Sequence, residues 1–191
     1  MMAGATKVLA EVGCALAGGH SCEGKELALG FAVHGVAERE KLMKKGGMKH
    51  GQVLLLTKPI GTGTLFAADM RAKAEGRWVS AALTSMCQPS AAGAEILVKH
   101  GSTSCTDVTG FGLLGHLVEM CKGSNLAAVL DLDKLPILDG AEECLKLGIT
   151  SSLQPANVRL SRAVANQDEV SGNPRYPLIY DPQTAGGLLA A

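Results

Sequence analysis

The stretch Thr106-Asp107-Val108-Thr109-Gly110-Phe111-Gly112-Leu113-Leu114-Gly115-His116 sets a lone carboxylate and a glycine-rich turn at the head of an apolar run. Gly110 and Gly112 permit a left-handed backbone, or a ligand approach that a Cβ would block. Leu113, Leu114, Leu117, Val118 and Met120 share a helical face, so a helix is expected to begin where the glycines end. Its free N–H groups and positive dipole end suit phosphate oxygens. Asp107, just outside, suits a hard cation such as Mg2+ held against those oxygens. Residue types alone leave a second and commoner role open, in which Asp107 and Thr109 merely cap the helix.

The same residues fit another pattern. Gly110-x-Gly112-x-x-Gly115 matches the dinucleotide fingerprint, and Asp131 lies 21 residues beyond Gly110, near where a ribose-binding acid would sit. That fingerprint needs a buried hydrophobic strand before its first glycine. The residues actually there, Gly101-Ser102-Thr103-Ser104-Cys105-Thr106, are polar, which argues against nicotinamide chemistry.

These candidates need elements to hold them. Residues 5–16 read as a helix stopped by Gly18-Gly19, and 27–36 alternate as a strand would (Leu27, Leu29, Phe31, Val33). Residues 38–49, charged and glycine-punctuated, suit a domain connection. The run Val53-Leu54-Leu55-Leu56 predicts a buried strand, and Lys58-Pro59-Ile60-Gly61-Thr62-Gly63 turns the chain into a helix over 64–73. Further helices are expected at 79–87, 91–100 and 141–147, and strands at 126–132 and 178–180. Asp181-Pro182-Gln183-Thr184-Ala185-Gly186-Gly187 is a turn before apolar Leu188-Leu189-Ala190-Ala191. Intermixed strands and helices give an α/β (α+β) class.

Composition excludes several roles. Eighteen basic and eighteen acidic side chains balance, so no net field recruits nucleic acid or an anionic membrane. Aromatics at 3% leave little for stacking single strands. No apolar run approaches the roughly 20 residues of a membrane span, and none reads as a signal peptide. The six cysteines show neither a C-x-x-C pair nor zinc spacing, which suits a reduced, cytoplasmic protein. Cys22, in a polar loop, is the thiol to check for reactivity.

Four motifs in order, Gly18-Gly19-His20-Ser21, Leu56 to Gly63, Thr106 to Gly112 and Asp181 to Gly187, resemble selenophosphate synthetase (selenide, water dikinase) from Ala5 to Ala191. The resemblance implies the aminoimidazole ribonucleotide synthetase-like fold, a two-layer mixed sheet with helices and mostly its C-terminal domain. It divides the chain into 1–48, the end of an N-terminal ATP-binding and dimerisation domain, and 49–191, a C-terminal synthetase domain incomplete at its end. It implies a cytoplasmic homodimer using Mg2+ that turns ATP, selenide and water into selenophosphate, AMP and phosphate, for selenocysteine and selenium-modified tRNA. Carried over by position, Asp107 matches a metal ligand, and Gly19, His20 and Ser21 match a segment contacting nucleotide bound mainly by the partner subunit.

The family's catalytic Cys or Sec, its neighbouring Lys and further metal-binding aspartates are expected upstream, so no catalytic residue is assigned here. The chain is accordingly expected to be an internal piece, inactive and poorly soluble alone. Departures stand at Cys22-Glu23 and at Met86-Cys87-Gln88-Pro89-Ser90, where the family pattern differs. His20 taken alone is an ordinary loop histidine. Lys58 precedes its glycines, opposite to a P-loop, and reads equally as a phosphate contact or a structural turn. Gln183 and Thr184 either line the same cleft or form a tight turn. A sister phosphotransferase such as thiamine-monophosphate kinase, or a non-catalytic dimerisation module, are the competing readings.

Overall fold

The computed structural model describes Met1–Ala191, which divides into two compact units, Met1–Leu42 and Met43–Ala191. The first holds helix α1 (Met2–Glu11) and a 3-10 turn, Arg39–Lys41, and buries no residue fully. The strand expected over 27–36 does not form. A strand needs a neighbour to take its N–H and C=O groups, and no other strand exists in this unit. Leu27 and Val33 are accordingly exposed.

The second unit is built on three short strands, β1 (Leu55–Leu56), β2 (Cys105–Asp107) and β3 (Leu188–Ala190), in the order β1-β3-β2. Both pairings are antiparallel, with Leu56 opposite Leu189 and Thr106 opposite the same residue from the other side. Parallel pairing is confined to the isolated bridges Lys44–Ser104 and Ile60–Ile137. Between β1 and β2 run α2 (Thr62–Asp69), α3 (Gly76–Cys87) and α4 (Ala91–Lys99). After β2 come α5 (Gly112–Ser124), α6 (Ala141–Lys146), α7 (Gln154–Val158) and α8 (Gln167–Val170). The mixed α/β class read from the sequence therefore holds.

Helix α5 is the centrepiece. Leu113, Leu117 and Met120 enter the core with Val108 and Leu189, while Leu114 packs with Ile179, Tyr176 and Tyr180 on another side. Each such aliphatic side chain, fully buried, contributes roughly 1.5–3 kcal/mol. The helix ends at Asn125, whose left-handed conformation (φ 52°) suits a helix stop. Pro89 separates α3 from α4 by denying the preceding residue a helical backbone.

Three further strand expectations are corrected. In 53–56 only Leu55 and Leu56 pair, because three-residue β3 offers them no longer ladder, and Val53 is 74% exposed. Residues 126–132 form no strand; with β1 they line a groove of about 690 Å3 instead of pairing with it. Residues 178–180 lie in a 3-10 helix, Tyr176–Tyr180, started by Pro177, whose fixed φ is preset for a helical first turn.

Candidate functional site

Asp107 ends β2 with its side chain exposed. It does not cap α5, whose N-cap residue is Phe111 with no side-chain cap hydrogen bond, and Thr109 does not cap it either. The helix-cap reading is therefore overturned. Both residues lie before a sharp turn that Gly112 makes at φ 70°, where a Cβ would also sit 2.8 Å from the Tyr180 carbonyl carbon. Gly110, by contrast, is exposed, and a Cβ there would meet nothing within 4 Å.

The turn after Asp107 is fastened at several backbone groups. Val108 N–H donates to Gly187 O at 2.9 Å, and Gln183 N–H to Thr109 O at 3.0 Å. Asn157 Nδ2 donates to Gly110 O at 2.8 Å and to Tyr180 O at 3.0 Å. Thr109 N–H donates to His116 Nε2 at 3.0 Å, with the Thr109 hydroxyl 3.3 Å from the same nitrogen.

The motif at 181–187 joins the one at 58–63. Gln183 Oε1 accepts from the N–H of Gly61 (3.0 Å) and Thr62 (3.3 Å) and from the Thr62 hydroxyl (3.2 Å). Asp181 Oδ2 accepts from Gly63 N–H at 3.1 Å, and Oδ1 from the Thr64 hydroxyl at 2.8 Å. Gln183 Nε2 donates back to Asp181 Oδ2 at 2.9 Å. Two buried side chains from a distant turn thus satisfy the first donors of α2 in place of a local cap. Burial raises the Asp181 carboxyl to about 6, against the pull of these hydrogen bonds.

Lys58 is 7% exposed, and its ammonium donates to Gln88 O at 2.7 Å and Ala185 O at 3.1 Å. Burial lowers its pKa, the nearby Cys87 thiol opposing this. Its charge ties the end of α3 to the 181–187 turn, as the structural-turn reading of Lys58 has it. Asp131, the acid of the nucleotide fingerprint, accepts from Asp133 N–H at 3.2 Å and pairs with Lys134 at 2.9 Å. The strand before Gly110 is an antiparallel edge strand, so the parallel βαβ unit a dinucleotide site requires is absent.

Over residues 49–169 the sequence matches the AIR synthase related protein, C-terminal domain, which is more than half of the chain. The chain belongs to this family. It is 39% identical over 181 residues to a selenide, water dikinase of Haemophilus influenzae, an alignment covering 95% of this chain and 51% of the relative. To the selenide, water dikinase of Escherichia coli O157:H7 it is 41% identical over 184 residues, with the same two shares. The chain thus spans about half the length of these relatives, and the resemblance read from the four motifs holds.

Within the AIR synthase related domain lie Lys58, Asp107, His116 and Asn157. Gly19, His20 and Ser21 fall before it, in the unit Met1–Leu42, where all three are exposed and in no regular element. Cys22 is exposed too, and all six cysteines are free. Asn157 gave no signal in the sequence, since it sits in a polar stretch that fits no motif. His116 was visible only as the end of the glycine-rich run. No three His, Cys, Asp or Glu side chains gather closely enough to hold a metal ion between them.

The residues present fit Mg2+ as one arm of a site. Mg2+ keeps several waters and takes one or two carboxylates plus substrate phosphates rather than an all-protein cage. Asp107 is exposed and fixed at its backbone, and the open space over Gly110 is room for a phosphate to approach.

Proposed function

We propose that this chain is part of an ATP-dependent selenide, water dikinase that makes selenophosphate, with AMP and phosphate as the other products. One observation carries the reading. An exposed carboxylate, Asp107, stands on a turn clamped by the 181–187 motif and set beside a side-chain-free approach at Gly110. Phosphoryl transfer asks for positioning and charge neutralisation more than for covalent chemistry, and a carboxylate on a fixed backbone that holds a cation serves both.

In this reading Asp107 is one ligand of Mg2+, which when bound neutralises charge on the transferring phosphate. Gly19, His20 and Ser21 contact ATP bound mainly by the partner subunit of a homodimer, where small residues admit phosphate close to backbone N–H groups. Residues 1–48 are the end of the ATP-binding and dimerisation domain, and 49–191 belong to the synthetase domain. The partners are ATP and selenide rather than nucleic acid or membrane. Six free cysteines agree with a cytoplasmic location.

The test is a chimera in which this chain replaces the matching segment of the Haemophilus influenzae relative, given Mg2+, ATP and selenide and followed by phosphorus NMR. Selenophosphate and AMP are expected, with a loss of about a hundredfold or more in Asp107→Ala. A folded, dimeric chimera that makes no selenophosphate overturns the proposal. Full activity in Asp107→Ala removes that residue from the site.

A further inference from the structure

His116 has a use that the motif around it does not announce. Helical side chains lean toward the N-terminus of their helix, so a residue in the second turn of α5 reaches back over the turn that precedes it. There His116 Nε2 meets the backbone N–H of Thr109 at 3.0 Å. An imidazole nitrogen that accepts from an N–H carries no proton, so the proton of the neutral ring is on Nδ1. The ring is 3% exposed, and Nδ1 has no hydrogen-bond partner.

Glu119 Oε2 lies 3.7 Å from Nδ1, too far for a hydrogen bond. It is instead held by Lys45 Nζ at 2.6 Å. The charged groups that face the ring are Glu119 on its own helix, Asp107 on β2 and Lys45 before β1. Burial, the largest influence, keeps the ring neutral against the two carboxylates. The geometry has a clear division of labour: Gln183 and Gly187 hold the carbonyl of Thr109 and the N–H of Val108, and Asn157 holds the carbonyl of Gly110. The Thr109 N–H is taken by His116.

We propose that His116, as its Nδ1–H tautomer, is the positioning residue of the Asp107 turn, its Nε2 lone pair fixing Thr109 N–H and with it the direction in which the Asp107 carboxylate meets a divalent cation. This rests on the reading of Asp107 as a cation ligand. His116 touches neither the cation nor a phosphate. It acts through two intervening residues, by holding the backbone from which the Asp107 side chain projects.

The test uses NMR of the 191-residue chain with Mn2+ alone as the cation probe, read as broadening of the Val108, Thr109 and Gly110 amide signals. Long-range proton–nitrogen spectra are expected to report the Nδ1–H tautomer. His116→Leu fills the space but offers no acceptor, so the Thr109 amide should exchange about tenfold faster, and the Mn2+ midpoint should rise several-fold. His116→Gln, whose Oε1 can take the place of Nε2, should restore both. An Nε2–H tautomer overturns the proposal, as does His116→Leu with unchanged Thr109 exchange and Mn2+ midpoint. If His116→Leu loses protection throughout α5, His116→Gln decides alone: wild-type values support the proposal, and a folded variant with a free Thr109 amide overturns it. Asp107→Asn separates the two readings. It should abolish broadening while leaving Thr109 protection intact, and broadening that persists in it sinks the metal assignment on its own.

Discussion

Asp181 is wholly buried, yet it carries the one carboxyl raised as far as about 6. Its unfolded value is near 4, so the folded chain binds a proton more readily than the unfolded chain between those limits. A raised carboxyl contributes stability that is fully present below about pH 4 and is lost as pH rises through about 6. The shift corresponds to about 3 kcal/mol. Denaturant unfolding of wild type and Asp181→Asn across pH 4–8 should give a difference that changes in that window and is flat elsewhere. Parallel profiles would mean that Asp181 stays charged throughout. Comparing against the variant matters because Glu119 works the other way, lowered by its hydrogen bond from Lys45. Lys58 invites a second substitution. Replacing it by Met leaves the carbonyls of Gln88 and Ala185 without their charged donor and should cost about 1.5–3 kcal/mol. A loss of ATP binding in a fully stable Lys58→Met variant would instead return this residue to the phosphate role.

Among elements, the turns decide more than the helices and strands they connect. A Cβ on Gly186 would overlap the carbonyl oxygen of Val108, so Gly186→Ala must push the 181–187 turn away from the Asp107 turn. Overpacking of this kind costs roughly 1–3 kcal/mol. Gly110→Ala meets open space and should leave stability within about 0.5 kcal/mol of wild type. If phosphate passes over Gly110, that same variant should weaken binding of Mn2+ and ATP together, while Gly186→Ala lowers the urea midpoint first. Equal stability losses in the two variants would contradict this division. The contrast also explains what the sequence made legible. Helices α3, α4, α5 and α6 announce themselves because apolar spacing repeats over several turns, with Pro89 and the glycines before α5 marking the breaks. Strands of two or three residues carry no period, so polar Cys105-Thr106-Asp107 gives no sign of β2, and the apolar run at 126–132 imitates a strand it does not form. Asp107 could be picked out by residue type and setting. The roles of His116, Asn157 and Asp181 depend on which backbone group each reaches from 7 to 118 residues away, and no local pattern encodes that.

At the scale of the whole molecule, the two units differ in what they bury. Met43–Ala191 hides a contiguous set of aliphatic side chains, whereas Met1–Leu42 hides none, and Val33 and Leu27 stand 78% and 83% exposed. Conformational order costs about 1–2 kcal/mol per residue in the backbone alone and is sustained by burial. A segment without burial therefore opens at almost no free-energy cost, and opening sets the rate of proteolysis. Brief trypsin digestion should cut at Lys25, Arg39 and Lys41 well before any site within 43–191, leaving a stable product that mass spectrometry places at Leu42. The reading of 1–48 as the end of an ATP-binding and dimerisation domain adds a second arm. In the chimera with the Haemophilus influenzae relative, the exposed apolar residues of 27–36 gain the domain to which they belong, and the same three cuts should slow by tenfold or more. Equal cutting of the chimera and the isolated chain would deny that domain assignment while leaving the AIR synthase related core, and the site around Asp107, as they stand.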